Sequence, residues 1–347
     1  MEAQLNSVLL IGGSGFLGLH LIEQFHKRSP QTDIHVFDVR PITNLPKYFT
    51  FPVNDISFHQ GDLTSADDVR SAIKASNCDV IIHSASPMHG MGSHIYEKVN
   101  VKGTENLLNV ARNEHVKALV YTSSAGVIFN GQNVYNANET WPYPDVHMDA
   151  YNETKAVAEM AVLEKNNDGL TTVSLRPAGI FGPGDRQLVP GLRHAAKLGQ
   201  SKFQIGDNNN LFDWSYAGNV ADAHVLAAQK AIDPEQASSI GGQAFFITND
   251  SPAYFWTLAR TVWKADGHID NYNIVLSRLI ALFFGYVSEI VSKILKKEPG
   301  LTPFRVKVVC ATRYHDITKA KRMLGYTPAV DLETGIKYTL DWMNQTA

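Results

Sequence analysis

Short apolar runs of strand length recur through the first half of the chain: Val8 to Ile11, Ile34 to Phe37, Ile56 to Phe58, Val80 to Ile82, Ala118 to Tyr121 and Thr172 to Leu175. Between them lie segments whose apolar positions repeat at helical spacing, such as Phe16 to Phe25 and Ala66 to Ala75. Strand and helix in alternation imply a parallel sheet covered by helices on both faces, so the expected class is α/β with a doubly wound parallel sheet. Ser65 followed by Asp68 resembles a capping box opening the second helical segment, and Pro30 stands just past the first. Beyond Pro177 the pattern turns irregular and rich in Gly, Pro and Asn (GIFGPGDRQLVPG, then IGDNNNLFDW). A boundary near 185 follows from this change, with residues 1–185 as the sheet domain and 186–347 as a smaller substrate-covering region.

Composition narrows the class without defining it. At 347 residues, 44% apolar and 19% charged, the chain is long enough to bury a substantial core. A net charge of -3 and the lack of a long Lys/Arg block give no reason to expect nucleic-acid binding. Cys78 and Cys310 are the only cysteines, too few for a disulfide framework or a zinc site, which points to a reducing, cytosol-facing setting. The apolar run before the first glycines is too short for a signal peptide and reads as a strand.

That first strand runs directly into GGSGFLG. Gly12, Gly15 and Gly18 allow a tight turn, close approach of backbone to a pyrophosphate and close helix packing, and the strand before and helix after are the context such a loop requires. The expectation is a Rossmann-type dinucleotide site, with Phe16 and Leu17 inside the loop. Asp38 ends the second strand about twenty residues past Gly18, where a carboxylate accepts hydrogen bonds from an adenosine ribose and disfavours a 2′-phosphate. NAD is therefore preferred, while Arg40 keeps NADP in play. Asp62 and Leu63 at the third strand end are candidates for the adenine edge and face. Ser84, Ala85 and Ser86 at the fourth are small enough to let a cofactor pass. Pro177, Ala178, Gly179 and Ile180 after the sixth strand complete the candidate cofactor set.

Tyr151 and Lys155 in DAYNETKAVAEM lie one helical turn apart on one face. A phenol beside an ammonium is a proton-transfer pair, because the positive charge favours the phenolate and lowers the tyrosine pKa. Ser124, in YTSSAGVIF at the fifth strand end, supplies a hydroxyl that holds a substrate oxygen while Tyr151 exchanges its proton. In this arrangement Lys155 also binds the nicotinamide ribose.

GGSGFLG, Ser124, the Tyr151 to Lys155 spacing and RPAGIFGPGD resemble the extended short-chain dehydrogenase/reductases, and within them the 3β-hydroxysteroid dehydrogenase branch. Longer blocks, including SASPMHG, VYTSSAGVIFNGQ, LRPAGIFGPGDRQLVPGLR and GQSKFQIGDNNNLFDW, are similar to the fungal group acting in ergosterol biosynthesis, over Ser7 to Trp342. One departure is Ile11, where many members of the wider superfamily carry Thr. The resemblance implies oxidation of the 3β-hydroxyl of a 4α-carboxysterol to a ketone, with loss of the carboxylate as CO2 and no metal or second cofactor. It also implies a C-4 sterol methyl oxidase, a 3-ketosteroid reductase and a membrane scaffold protein as partners. The oligomeric state stays open, a homodimer among the options.

Such a substrate asks for a wide apolar pocket with one or two polar anchors. Met88, Phe181, Leu188, Phe212 and Trp214 are the candidate walls, and Arg186 or His89 the candidate carboxylate partners. Residues 274–297 (IVLSRLIALFFGYVSEIVSKILKK) read as an interfacial helix with Lys293, Lys296 and Lys297 at its end, too short in apolar run to span a bilayer. The expectation is peripheral or monotopic association with the cytosolic face of the endoplasmic reticulum. Two other readings are a related dehydrogenase on another substrate, such as a sugar nucleotide, and a non-catalytic cofactor-binding scaffold. The Phe-rich segment argues against the first and the intact Tyr/Lys pair against the second.

Overall fold

The computed structural model describes residues 5–43, 45–166, 169–270, 273–295 and 300–346. The first half runs β1 (Ser7–Ile11), α1 (Phe16–Arg28), β2 (Asp33–Asp38), β3 (Ser57–Gln60), α2 (Ala66–Ser76), β4 (Val80–His83), α3 (Ser93–Tyr96), α4 (Thr104–Asn113), β5 (Ala118–Thr122), β6 (Val134–Ala137), α5 (Ala150–Glu164) and β7 (Thr171–Pro177). Then come β8 (Gly179–Phe181), α6 (Leu188–Lys197), β9 (Phe203–Ile205), β10 (Leu211–Phe212), β11 (Trp214–Tyr216), α7 (Ala217–Ile232), α8 (Ala237–Ile240) and β12 (Gln243–Ile247). The remainder is β13 (Ala253–Tyr254), α9 (Phe255–Ala265), β14 (Ile274–Leu276), α10 (Arg278–Leu295), α11 (Pro303–Cys310), β15 (Arg313–His315), α12 (Thr318–Leu324) and α13 (Leu332–Thr346).

The six apolar runs all become strands of one parallel sheet, ordered β12-β7-β5-β4-β1-β2-β3. Side chains alternate between its faces. Val8 and Leu10 join the layer built with α1 and α7, whereas Leu9 and Ile11 join that of α2, α4 and α5. The strand order reverses between β1 and β4, and a crevice opens at the carboxyl ends of strands at such a switch point. Ser65 does cap α2, accepting from the Asp68 amide at 3.3 Å, but the Asp68 carboxylate accepts from the Asp62 amide instead of closing the box.

The expected cut near 185 does not separate the two regions. β12 lies far beyond it yet pairs with β7 along the edge of the main sheet, and α7 packs against α1 and against β5 and β7. Both fit there for local reasons: QAFFI is a strand-length apolar run, and α7 carries alanines at 217, 221, 223, 227 and 228 that permit close packing. The substrate side keeps a sheet ordered β13-β10-β15-β6, the pairs β8/β11 and β9/β14, and an aromatic core of its own. α10 rests on α11 through its small residues: a Cβ on Gly285 would stand 2.9 Å from the Pro303 nitrogen. Among the described residues no helix is long and apolar enough to cross a membrane.

Candidate active site

The glycine loop sits at the switch point. Gly12 has φ +82°, and a Cβ there would meet the Ala85 Cα and nitrogen at 2.8 Å, so the backbones after β1 and β4 touch. Gly18 brings α1 onto the loop, since a Cβ there would lie 2.5 Å from the Gly12 carbonyl oxygen. Gly15 is different: its φ is ordinary, and a side chain would meet only the Gly12 carbonyl oxygen, at 3.1 Å. Leu17 is buried in the core, while Phe16 lies under Gly184 of the loop following β8.

Asp38 faces this loop. Its carboxylate accepts the Ser14 amide at 3.2 Å and the Arg40 amide at 3.3 Å, while the Arg40 side chain is exposed. Burial raises the Asp38 pKa and these amides oppose it. The Ser14 hydroxyl is buried without a partner. A cradle closed to any Cβ at Gly12, an orphaned hydroxyl and a half-buried carboxylate suit the phosphates and ribose of a dinucleotide.

Other candidate cofactor residues divide. Asp62 is exposed and engaged with its own turn, accepting from the Thr64 amide at 2.9 Å and hydroxyl at 2.8 Å. Leu63 points into the core against Gly103, so its side chain is not an open face for an adenine. The Ser84 hydroxyl is tied to the Ile11 carbonyl at 3.0 Å. Ser86 does more than leave room: its hydroxyl donates to Asn100 Oδ1 at 3.0 Å, and it favours the charged form of Tyr151. Pro177 is buried, and Ala178, Gly179 and Ile180 are half-buried, with Gly179 close against Trp214 and Phe212.

α5 begins at Asp149, whose carboxylate accepts the Asn152 amide at 2.8 Å, and this cap fixes the first turn that carries Tyr151. The Tyr151 ring meets His89 at 3.9 Å between centroids and Tyr96 edge-on at 5.7 Å. Tyr96 in turn holds the covering loop, donating to the Met88 carbonyl at 2.8 Å and accepting from the Met91 amide at 3.0 Å. Behind Tyr151, Asn100 donates to Thr154 at 3.1 Å. Asn100 lies in a π-helical stretch, Glu97–Gly103, joining α3 to α4. Neither Asn100 nor Tyr96 was singled out from sequence, because a lone Asn or Tyr on a helix carries no local signal.

Lys155 is buried and committed to β5: its Nζ donates to the Thr122 carbonyl at 2.6 Å and the Tyr121 hydroxyl at 3.1 Å. Burial lowers its pKa to about 7, against the pull of Glu159. The expected lowering of the Tyr151 pKa by Lys155 is not found. Burial pushes the phenol up to about 12, and the main influence in the other direction is Ser86. The cause is geometric, since the ammonium spends its hydrogen bonds on the strand end. Ser124 caps the turn Ala125–Ile128, its hydroxyl accepting the Gly126 amide at 3.0 Å, and this turn packs on α5. A Cβ on Gly126 would stand 2.1 Å from Asn152 Oδ1, which is how close the two elements come.

Of the candidate pocket walls, Phe181, Phe212 and Trp214 are 1%, 7% and 2% exposed, members of the aromatic core and not open walls. Phe181 and Trp214 lie in the β8/β11 pair, and Phe212 lies in β10 between β13 and β15. Leu188 is half-buried and Met88 exposed. His89 lies on Tyr151 with its pKa lowered by burial, so it is neutral near pH 7, whereas Arg186 is exposed on the loop before α6. Of the expected interfacial helix, Lys296 and Lys297 lie outside the described residues. Over the described part, α10 turns Leu279, Phe283, Ile290 and Ile294 outward, each more than 60% exposed.

The 3-beta hydroxysteroid dehydrogenase/isomerase family matches residues 9–278. A sterol-4-alpha-carboxylate 3-dehydrogenase (decarboxylating) of Candida albicans is 72% identical over 99% of both chains. Its namesake in Saccharomyces cerevisiae is 66% identical, again over 99% of each. Among solved structures, a Thermus thermophilus UDP-glucose 4-epimerase in complex with NAD superposes with a TM-score of 0.71 at 22% identity, covering 98% of this chain and 100% of that one, a likeness of fold.

Proposed function

Because the chain belongs to the 3-beta hydroxysteroid dehydrogenase/isomerase family, we propose that its site oxidises the 3β-hydroxyl of a 4α-carboxysterol and releases the carboxylate as CO2. The observation that carries the reading is the first turn of α5: a half-buried Tyr151 and a buried Lys155 on one face, beside a glycine loop shaped for a dinucleotide.

The glycine loop and Asp38 hold the cofactor, and Asp38 favours NAD over NADP because a 2′-phosphate would meet its charge. When bound, the nicotinamide dinucleotide supplies the acceptor for the hydride leaving C3. Tyr151 takes the proton from the 3-hydroxyl, and Ser124 orients that oxygen. Burial outweighs the pull of Ser86 and keeps the phenol at about 12, so Ser86 favours the charged form that accepts the proton and opposes burial without overcoming it. Oxidation leaves a ketone β to the carboxylate. The bond from C4 to the carboxylate then breaks, its electrons pass to the 3-oxygen as an enolate, and CO2 departs. Ser124 and Tyr151 stabilise that oxygen, and the proton Tyr151 gained is available to the enolate.

The substrate reaches the site from a membrane, and the outward apolar face of α10 supports peripheral or monotopic attachment at the cytosolic face of the endoplasmic reticulum. The carboxylate must come from oxidation of a C-4 methyl group and the ketone must be reduced afterwards. A methyl oxidase and a ketosteroid reductase are the activities on either side of this step, and the resemblance adds a membrane scaffold protein that holds them together. A paired assay with a 4α-carboxysterol and NAD or NADP, following reduced nicotinamide and CO2 together, tests the reading. Matched yields abolished by Tyr151→Phe support it. Cofactor binding without turnover sinks it.

A further inference from the structure

Two arginines are enclosed by aromatic rings, and they are treated differently. Arg176 stacks on Tyr143 and Phe246 and is neutralised by Glu159, with Nη2 to Oε1 at 2.7 Å and Nε to both carboxylate oxygens. Arg313 has its guanidinium carbon 4.2 Å from the centre of the Phe129 ring and 4.4 Å from that of Phe212, held between two π faces. Among the described residues no carboxylate lies within ion-pair distance of it, and its Nε is buried with no hydrogen-bond partner. Taking a guanidinium out of water is costly unless an anion compensates. Burial lowers its pKa to about 9, opposed by the charge of Asp149.

Its surroundings belong to the catalytic end of the molecule. β15 sets Arg313 beside Phe212 on one side and Val134 on the other. Phe129 follows directly on the turn that Ser124 caps, and its carbonyl accepts the Met148 amide at 3.2 Å, next to Asp149. Asp149 caps the first turn of α5, which carries Tyr151, so the Phe129 ring on one face of Arg313 is tied through Met148 to the start of that helix. The Phe212 ring also closes on Gly179, where a Cβ would come within 3.3 Å of it, at the end of β7.

We propose that Arg313 is the anchor for the substrate's 4α-carboxylate, a preformed cation between two aromatic rings whose anion arrives with the sterol. This rests on the carboxysterol reading above. The planar fork suits a carboxylate bidentately, and stacking on Phe129 and Phe212 fixes its plane in advance. Arg186, exposed on its loop, lacks that preparation, and neutral His89 contributes at most a hydrogen bond. The assignment also separates duties: Arg313 binds, while Ser124, Ser86 and Tyr151 act at the 3-oxygen.

The test measures dissociation constants and KM for a 4α-carboxysterol, and dissociation constants for the matching 4α-hydroxymethyl sterol, on the full-length enzyme with cofactor and on Arg313→Met and Arg313→Lys. Arg313→Met is expected to weaken the carboxysterol by about 30-fold or more and the neutral sterol less than about threefold. Arg313→Lys falls between, keeping charge and losing the fork. Equal losses on both ligands, or none on either, overturn the assignment. Should Arg313→Met fail to fold, Arg313→Lys carries the same comparison, and a fall confined to the carboxysterol supports the anchor. Wild-type enzyme that binds neither sterol overturns the carboxysterol reading itself, a result separate from the Arg313 comparison.

Discussion

The ground beneath α5 and the outer face of α10 obey opposite rules. Under α5 the buried charges are answered by the chain itself: Glu159 receives Arg176, Tyr143 at 2.6 Å and Ser174 at 2.7 Å, and Lys155 is divided between Tyr121 and Thr122. On α10 Leu279, Phe283, Ile290 and Ile294 face outward, and only Ala281 and Gly285 are buried. The first region is held in place by its own chain. The second presents its apolar side chains to the outside.

The largest effect expected from breaking this contrast is chemical. Lys155→Met should reduce kcat by about 10²- to 10⁴-fold, because it removes the Nζ proposed to bind the nicotinamide ribose and leaves the Thr122 carbonyl and the Tyr121 hydroxyl without their donor. An unchanged pre-steady-state hydride-transfer rate would take Lys155 out of the mechanism. Next, Glu159→Gln leaves Arg176 buried without its anion and should cost about 3–5 kcal/mol, read by urea unfolding. A loss below 1 kcal/mol would mean that the network relaxes and that α5 is not held from beneath.

Acid should loosen the buried core on both faces of the sheet. His20 and His224 are lowered by burial to about 4 and His83 to about 3, from an ordinary value of 6.5. Their unfolded forms take up protons that the folded forms refuse, so stability present above pH 6.5 falls as pH drops towards 4. Each histidine contributes a slope of about 1.4 kcal/mol per pH unit within that window. A flat stability profile from pH 6.5 to 4.5 would contradict the burial of these rings. The smallest effect belongs to α10: Leu279→Ser with Phe283→Ser should leave stability within about 0.5 kcal/mol and yet abolish flotation with phospholipid vesicles. A marked fall in Tm would show that these side chains pack inside the molecule.

Legibility in the sequence follows the same divide. The six strands, the glycine loop and Asp38 are visible because each is a local constraint, a run, a turn or a strand end. The spacing of Tyr151 and Lys155 is equally local, but the effect on the phenol is not, because where Lys155 sends its hydrogen bonds depends on Tyr121 and Thr122 in a different strand. β12 was hidden among Gly- and Asn-rich loops, since a short apolar run does not say which sheet it joins. Phe181, Phe212 and Trp214 read equally well as pocket wall or core, because aromatic composition is the same in both. Arg313, alone in ATRYHD, shows its character only when Phe129 and Phe212 are seen on either side of it.

The position of α7 has a consequence in time. It covers the sheet face lined by Val120 and Val173, packing against α1, β5 and β7, but is made only after the chain has passed through β8, α6 and the short strands that follow. At a synthesis rate of about 5–20 residues per second, the nascent sheet waits roughly 3 to 10 s after β7 for that cover. During that interval a wide valine- and leucine-rich surface is bare on the ribosome. Chains stalled or cut within α6 should therefore be bound by holding chaperones, while chains released beyond α7 escape them.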